Sequence, residues 1–554
     1  MVSLSSSSGA ESERQHSWRS FETVDSAAYW FEHRCEKTPD KVAVVDAHTG
    51  NRYTYRELAC RARKLAFVLQ HHGVSAGDRV AVLLLNQAEM LDALLACRLL
   101  SAIAVPMNWR LAEAELSEIV RDCSPKVLLY DRTVPSLAAL SEALQERSVE
   151  VLDVSALLHE QAETQCEQPW SLTVNAIEDA SAEIAAGATA DKLAQPRDIL
   201  AQEAICLDDP WLMIYTGGTT GKPKGVVLSH GSVFWNAANT VISWQLNESD
   251  VTPTILPMFH TGGINALTFP VLMAGGTVVL VRNFQADDMI RLLREERCTI
   301  VLMVPTMYHL LVQCDSFRND MFPDMRTFLS GGAPCPLSVY EAFHVRGLPF
   351  KEGYGATESG PNNFVIEPEA ARMKPGSVGV PMLLGEARII GSDGRVLAAG
   401  QVGELVLRGG HLFSHYWNNP QATEETMQDG WLLTGDLARR DEDGYYYIVG
   451  RKKDMIITGG ENVYPLEVEH ILESHPKVLE AAVLGIADSK WGEVVVAAVS
   501  TGEISSLTEE ELKQYCQARI GKYKVPKRFI LTEELPKTVV GKLDKKAMKA
   551  WFGG

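Results

Sequence analysis

From Asp78 to Asp131, apolar runs of strand length alternate with stretches of helical period. Arg79 to Leu85 reads as a strand, Ala88 to Leu100 as a helix and Ala102 to Pro106 as a second strand. Leu111 to Cys123 is then helical, and Val127 to Tyr130 is a third strand. This rhythm predicts parallel βαβ units with both sheet faces covered. It returns at Thr277 to Val281, Asp287 to Arg297 and Thr299 to Val304. Between the two series, Val154 to Asp209 is rich in Glu, Asp, Gln and Ala and poor in pattern, so it is expected to form a surface connection carrying a helix or two. Trp431 to Leu437 and Tyr445 to Val449 read as short antiparallel strands joined through Asp441-Glu442-Asp443-Gly444. A boundary falls near Gly450 to Asp454. Beyond it, Leu466 to His475, Val478 to Ile486, Glu493 to Ser500 and Glu509 to Ile520 predict a helix–strand–strand–helix unit of small-domain size. The expected organisation is a disordered tail over 1–26, a large α/β body over 27–450 and a small α+β cap over 451–554.

A chain of 554 residues exceeds one ordinary core, and 46% hydrophobic with 22% charged residues is a globular composition. A net charge of −19 argues against nucleic acid or an anionic membrane as partner. From Glu511 onward, however, Lys and Arg outnumber Asp and Glu by 11 to 4, which is either a solvated lysine-rich face or one that meets a polyanion. Ten scattered cysteines with no CxxC pair suggest neither zinc nor a disulfide framework and fit reduced thiols in a cytoplasmic enzyme. The serine-rich start lacks the layout of a signal peptide, and no apolar run approaches the ~18 residues that span a bilayer.

The densest chemistry lies in YTGGTTGKPKGVVLSH, Tyr215 to His230. Gly217, Gly218 and Gly221 let backbone N–H groups approach an oxyanion, Thr216, Thr219 and Thr220 add hydroxyls, and Lys222 and Lys224 add charge, which together suit a polyphosphate. The stretch is not a Walker A loop: three residues separate Gly217 from Gly221, and Pro223 stands where Ser or Thr would meet magnesium. In GYGATES, Tyr354 offers a flat face for a purine, Glu358 a carboxylate for magnesium, and Thr357 a hydroxyl beside it. Ser330-Gly331-Gly332-Ala333-Pro334 suits backbone contact with a ring. Asp436, in Thr434-Gly435-Asp436, can accept both hydroxyls of a ribose to which Arg451 also donates. PKTVVGK sets Lys542 on a turn near the end of the chain.

Together and in this order, TGGTTGKPKG, GYGATES, TGD, GRKKDMIITGGENVYP and PKTVVGK resemble the motifs of the adenylate-forming superfamily, acyl-CoA synthetases of fatty-acid–CoA ligase type in particular. The resemblance runs from about Ala27 to Lys549. It implies a body of two parallel-rich sheets and a small β-barrel-like subdomain, with a mobile C-terminal domain. It implies ATP, Mg2+ and CoA as cofactor and substrates. Thr216 to Lys224 would hold the β- and γ-phosphates, with Thr216 and Glu358 near magnesium. Gly332, Ala333, Tyr354 and Gly355 would frame adenine, and Asp436 and Arg451 would hold the ribose. Phe234, His260, Gly262, Gly263, Gly331 and Gly353 would line the acyl pocket. Lys542 would bridge substrate carboxylate and α-phosphate, Lys453 would be the pivot, and Gly459, Gly460 and Glu461 would line the pantetheine tunnel.

The chemistry implied is activation of a carboxylate as acyl-AMP with loss of pyrophosphate, then thioester formation. Amino-acid activators resembling this chain carry Asp where Phe259-His260 stands, so an α-amino acid would bury an uncompensated ammonium. His260 is read either as a gate on the pocket or as a histidine packed on an apolar turn. Acetate-activating relatives place tryptophan at the position of Gly355. Gly355, Gly262 and Gly263 therefore suggest room for a longer acid, and GGENVYP tips the expectation toward a medium- or long-chain fatty acid. Aryl acids, transfer to an acyl carrier protein and a homodimer stay open.

Overall fold

The computed structural model describes residues 26–134, 140–154, 205–217, 223–502, 507–538 and 543–553. The expected tail, most of the 154–209 connection, Gly218, Thr219, Thr220, Gly221 and Lys222, and Val539 to Lys542 lie outside the described residues.

Arg79–Leu83 lies between Ile103–Pro106 and Val127–Tyr130 and is parallel to both, with Glu150–Asp153 parallel at the outer edge of the latter. Val80 to Leu83 are fully buried, and the helix Ala88–Leu99 is enclosed on nearly every side, its buried Asp92 and Arg98 each held in an ion pair. Pro210–Gly217 extends the sheet in parallel. Pro223–Ser229 then returns antiparallel to it and pairs with His415–Tyr416. The residues flanking 218–222 are thus the two arms of a hairpin in a seven-stranded sheet.

In the second sheet, Val42–Asp46 lies parallel to Thr277–Leu280, which lies parallel to Val251–Thr254. The Thr299 N–H donates to the Val251 carbonyl at 2.9 Å and leads into three further parallel strands: Ile300–Met303, Thr327–Ser330 and Phe350–Glu352. Their carboxyl ends deliver Gly331 and Gly353 to one rim, the side of an α/β sheet where ligand crevices form. A separate antiparallel sheet combines Gly385–Ile390, Val402–Gly409, Met427–Gln428, Trp431–Arg440 and Tyr446–Arg451.

After a 3-10 turn at Lys452–Asp454, the C-terminal unit pairs Glu480–Asp488 with Gly492–Ser500 across nine register positions and covers them with the helices Pro465–Glu473 and Glu509–Gln517. The α/β body, the small β subdomain and the α+β cap are as the motifs imply. The sequence pattern did not announce the hairpin Ile456–Thr458/Glu461–Val463, the strand Arg528–Thr532 or the helix Lys545–Trp551. Among the described residues, eight cysteines are free thiols. No described helix is long and apolar enough to cross a membrane.

Candidate functional site

The strand Trp431–Arg440 carries Asp436 opposite Arg451 on Tyr446–Arg451. Arg451 Nε lies 2.8 Å from Asp436 Oδ1, and the Tyr354 hydroxyl donates to Oδ2 at 2.5 Å. Asp436 is only 5% exposed, so its carboxylate is held away from bulk water. The Thr434 hydroxyl accepts from the Asp436 N–H at 3.1 Å and fixes the turn. Burial, then the Asp436 charge, raises the Tyr354 phenol well above its ordinary range, so it stays a donor. Tyr354 also packs edge-on against Phe364 at 6.0 Å. The expectation for Tyr354 rested on its flat face, whereas the structure shows its hydroxyl joining GYGATES to TGD.

Glu358 meets a residue the sequence reading missed. The Tyr416 hydroxyl donates to Glu358 Oε1 at 2.8 Å, and the Lys224 ammonium lies 5.0 Å from the Tyr416 ring centroid. Tyr416 arrives on the two-residue strand His415–Tyr416, opposite Val226, while Lys224 stands opposite Thr216 across the hairpin. Lys224 and Glu358 therefore meet at one tyrosine, with Thr216 across the hairpin from Lys224. Among the described residues no three metal-binding side chains cluster. A single carboxylate with a nearby hydroxyl suits Mg2+, which keeps water and phosphate oxygens for most of its octahedron.

Gly332, Ala333 and Pro334 lie exposed on the rim. Their loop is tied down by Glu352, which accepts from the Cys335 N–H at 3.1 Å and the Tyr340 hydroxyl at 2.8 Å. Burial raises the Glu352 carboxyl to about 7. His260 caps the short helix Thr261–Ile264, with its ring 4.6 Å from that of Phe259, and Trp109 packs edge-on against Phe259 at 6.3 Å. A second unforeseen residue, Asn86, positions this segment by accepting from the Met258 N–H at 2.9 Å and donating to the Leu256 carbonyl at 2.9 Å. Phe234 is half-buried on the helix His230–Ser243, and Thr357 sits half-buried between Tyr354 and Glu358.

Two glycines do not create the room read from the sequence. A Cβ on Gly355 would lie 2.2 Å from the Pro361 carbonyl oxygen, and one on Gly263 2.3 Å from that of Pro257. Both are glycines because backbone crosses there, so neither vacates pocket space. Gly262 differs, since its Cβ would meet only Leu256 Cδ1 at an ordinary 3.4 Å.

In the cap, Lys537 bridges to Leu543 and so brackets the segment containing Lys542. Lys537 and Glu480 both act electrostatically on His309 of the body helix Pro305–Gln313, whose pKa is lowered chiefly by burial. Gly459 and Gly460 form a two-residue hairpin turn with φ of 61° and 86°, and with Glu461 they are exposed. Lys453 is exposed on the turn between body and cap.

Parallel strands whose carboxyl ends bring two glycine segments to one rim, a buried aspartate meeting a tyrosine and an arginine, and a separate α+β unit beyond a 3-10 turn match the class of adenylate-forming enzymes. The chain belongs to the AMP-binding enzyme family: that family matches residues 31–417, and the AMP-binding enzyme C-terminal domain matches 467–542. It is 36% identical over 517 residues to an indoleacetate–CoA ligase of Aromatoleum aromaticum, covering 93% of this chain and 96% of that one. It is 36% identical over 524 residues to a feruloyl-CoA synthase of an Amycolatopsis species, covering 95% and 98%. A long-chain-fatty-acid–CoA ligase, FadD13 of Mycobacterium tuberculosis, is 34% identical over 520 residues, covering 94% and 97%. The Bacillus subtilis o-succinylbenzoate CoA synthetase MenE, solved with ATP and magnesium ion, superposes with a TM-score of 0.79 at 31% identity, covering 94% of this chain and 99% of that one. The protein is an acid–CoA ligase that uses ATP, Mg2+ and CoA.

Proposed function

We propose that the Asp436–Arg451–Tyr354 cluster grips the ribose of ATP, with Gly332, Ala333 and Gly355 beside the adenine. The observation that supports this most is the meeting of Tyr354 and Asp436, two motifs far apart in the chain, through a 2.5 Å hydrogen bond to a buried carboxylate. A vicinal diol offers two donors to such a carboxylate and an acceptor to Arg451. The segment Thr216 to Lys224, whose sequence holds Gly217, Gly218, Thr219, Thr220 and Gly221, takes the β- and γ-phosphates. Glu358 and Thr216 hold magnesium, which when bound neutralises phosphate charge that would repel the incoming carboxylate. Thr357 supplies a hydroxyl to the same region.

In the first half-reaction a carboxylate oxygen bonds to the α-phosphorus and pyrophosphate leaves. Lys542, carried in by the cap, screens the approach of two anions. In the second, the CoA thiolate attacks the acyl carbon and AMP leaves with the electron pair. Lys542 and the thiol approach one small centre, so the cap (451–554) turns against the body (27–450) about Lys453 and brings in Gly459, Gly460 and Glu461. The exposure of those three, with the Lys537 end beside His309, supports a stance set for adenylation.

The acid we propose is an aryl or arylalkanoic one, entering past His260 and Gly262 between Phe234 and the Gly331–Gly353 rim. The edge-on aromatic wall of Trp109, Phe259 and His260 suits a ring. The indoleacetate and feruloyl ligases among the relatives support the same acid class. A medium- or long-chain fatty acid is the second reading, favoured by the FadD13 relative and the GGENVYP segment. We place the enzyme in the cytoplasm, with an acyl carrier protein as the alternative acceptor and a homodimer as its assembly. The test is ATP–pyrophosphate exchange across aryl, arylalkanoic, fatty and dicarboxylic acids, followed by thioester assay with CoA against a phosphopantetheinylated carrier. Exchange with aryl acids at low KM and thioester formed on free CoA are expected. Exchange with fatty acids alone would move the assignment to the second reading.

A further inference from the structure

Lys351 is a buried cation that the chemistry above does not use. It sits on Phe350–Glu352, the edge strand of the parallel set, and is only 5% exposed. Its neighbour Glu352 faces the helix Leu337–Val345 through Tyr340. By strand alternation Lys351 therefore faces the opposite side, which it shares with Gly353 one pleat, about 7 Å, further along. Its register partner is Leu329, in the same buried cluster as Trp244 and Phe364. The Lys351 ammonium lies 4.9 Å from the Trp244 ring centroid. Among the described residues it has no ion pair or hydrogen bond. Burial, partly offset by Glu367 and reinforced by Arg326, lowers its pKa to about 8.

Trp244 closes the helix His230–Ser243, on which Phe234 stands about 15 Å nearer the amino end. Asn362 ties that helix to the segment after GYGATES by donating to the Thr240 hydroxyl at 2.9 Å. Helix and sheet are thus packed face to face, with Phe234 and Gly353 toward one end of the contact and Trp244 and Lys351 together at the other. An ammonium held there on one aromatic ring is only partly compensated, and a bound oxygen would complete it.

We propose that Lys351 determines specificity at the closed end of the acid pocket, and that the acid carries an oxygen acceptor at the end remote from the carboxyl that is activated. A ring hydroxyl and a second carboxylate share that chemistry. The inference rests on the pocket reading above and goes beyond it by naming the group at the far end.

The test compares purified full-length wild type, Lys351→Met and Lys351→Arg in pyrophosphate exchange. It uses matched acids: aryl propenoic acids with and without a para hydroxyl, and aliphatic acids of equal length with and without a terminal carboxylate. Wild type is expected to favour one oxygen-bearing partner by about ten- to hundredfold in kcat/KM. Lys351→Met should bring that ratio to near one while leaving the ATP KM and the plain acid unchanged, and Lys351→Arg should keep most of it. The pair that shows the preference tells phenol from carboxylate. A wild type preferring the plain acid in both pairs overturns the proposal even if Lys351→Met fails to fold. So does an equal ratio in wild type and a folded Lys351→Met, and in either case the ligase reading stands. No exchange with any acid would overturn the ligase reading as well.

Discussion

At the scale of single residues, the nucleotide grip proposed above would depend on contacts between motifs. Tyr354→Phe removes one donor to the buried Asp436 carboxylate and leaves packing against Phe364 intact. A hydrogen bond to a charged group is worth roughly 1.5–3 kcal/mol, so the melting temperature should fall by a few degrees, and the KM for ATP should rise as Asp436 loses the group that orients it. Asp436→Asn should cost at least as much, because it also weakens the pairing with Arg451. Pyrophosphate exchange at varied ATP checks both, and an unchanged KM in Tyr354→Phe would separate the hydroxyl from nucleotide binding. The sequence disclosed Tyr354, Glu358 and Asp436 through their short motifs. It did not disclose Tyr416 or Asn86, whose partners lie 58 and 172 residues away. No local pattern marks a side chain whose role is to hold another from a distant strand.

At the scale of elements, glycines in one motif have unlike reasons. Gly355→Ala drives a methyl into the Pro361 carbonyl, so loss of stability and of activity toward every acid is expected together, read by thermal melting and exchange. Gly262→Ala meets only a flexible leucine tip and should fold normally while altering the ranking of acids. A normal melt for Gly355→Ala would mean that the backbone crossing is not as drawn. Two buried histidines tie other elements together: His230 stacks on Trp211 at 5.2 Å, and His411 meets Asn363 Oδ1 at 3.0 Å. Burial depresses His230 to about 3, with Arg98 adding to it, and His411 to about 4. Both are neutral when folded, whereas the unfolded chain takes up these protons near pH 6.5. Their contribution is therefore complete above about pH 6.5 and is lost as the pH falls toward 4 and then 3. The urea midpoint should drop between pH 7 and 5, and drop less in His411→Gln. Helix and strand periods were legible here because buried parallel strands and enclosed helices leave long apolar runs. The two-residue strand carrying Tyr416 and the cap hairpin were too short to leave a period.

At the scale of the whole molecule, the question is how one centre serves two reactions. Lys453→Pro constrains the turn between body and cap, so pyrophosphate exchange should persist while thioester formation falls by an order of magnitude or more. Lys542→Ala should do the reverse, sparing thioester formation from supplied acyl-adenylate. Equal loss of both half-reactions in either variant would argue against a turning cap. The order of five motifs made the two-part organisation readable, with cap elements predicted to within a few residues. The sequence was silent on the pairing of Val42–Asp46 with Thr277–Leu280, since parallel neighbours far apart in the chain share no local signal.

By itself, the sequence determined the class of chemistry: glycine spacing, hydroxyls, paired charge and motif order are local properties that hold wherever the backbone goes. Only the tertiary structure decided which glycines make space and which merely let backbone cross, that a tyrosine hydroxyl meets the buried Asp436 carboxylate, and that a lysine from an edge strand lies buried against Trp244. Those outcomes depend on side-chain direction and on contacts between distant segments, which packing sets and local spacing does not encode.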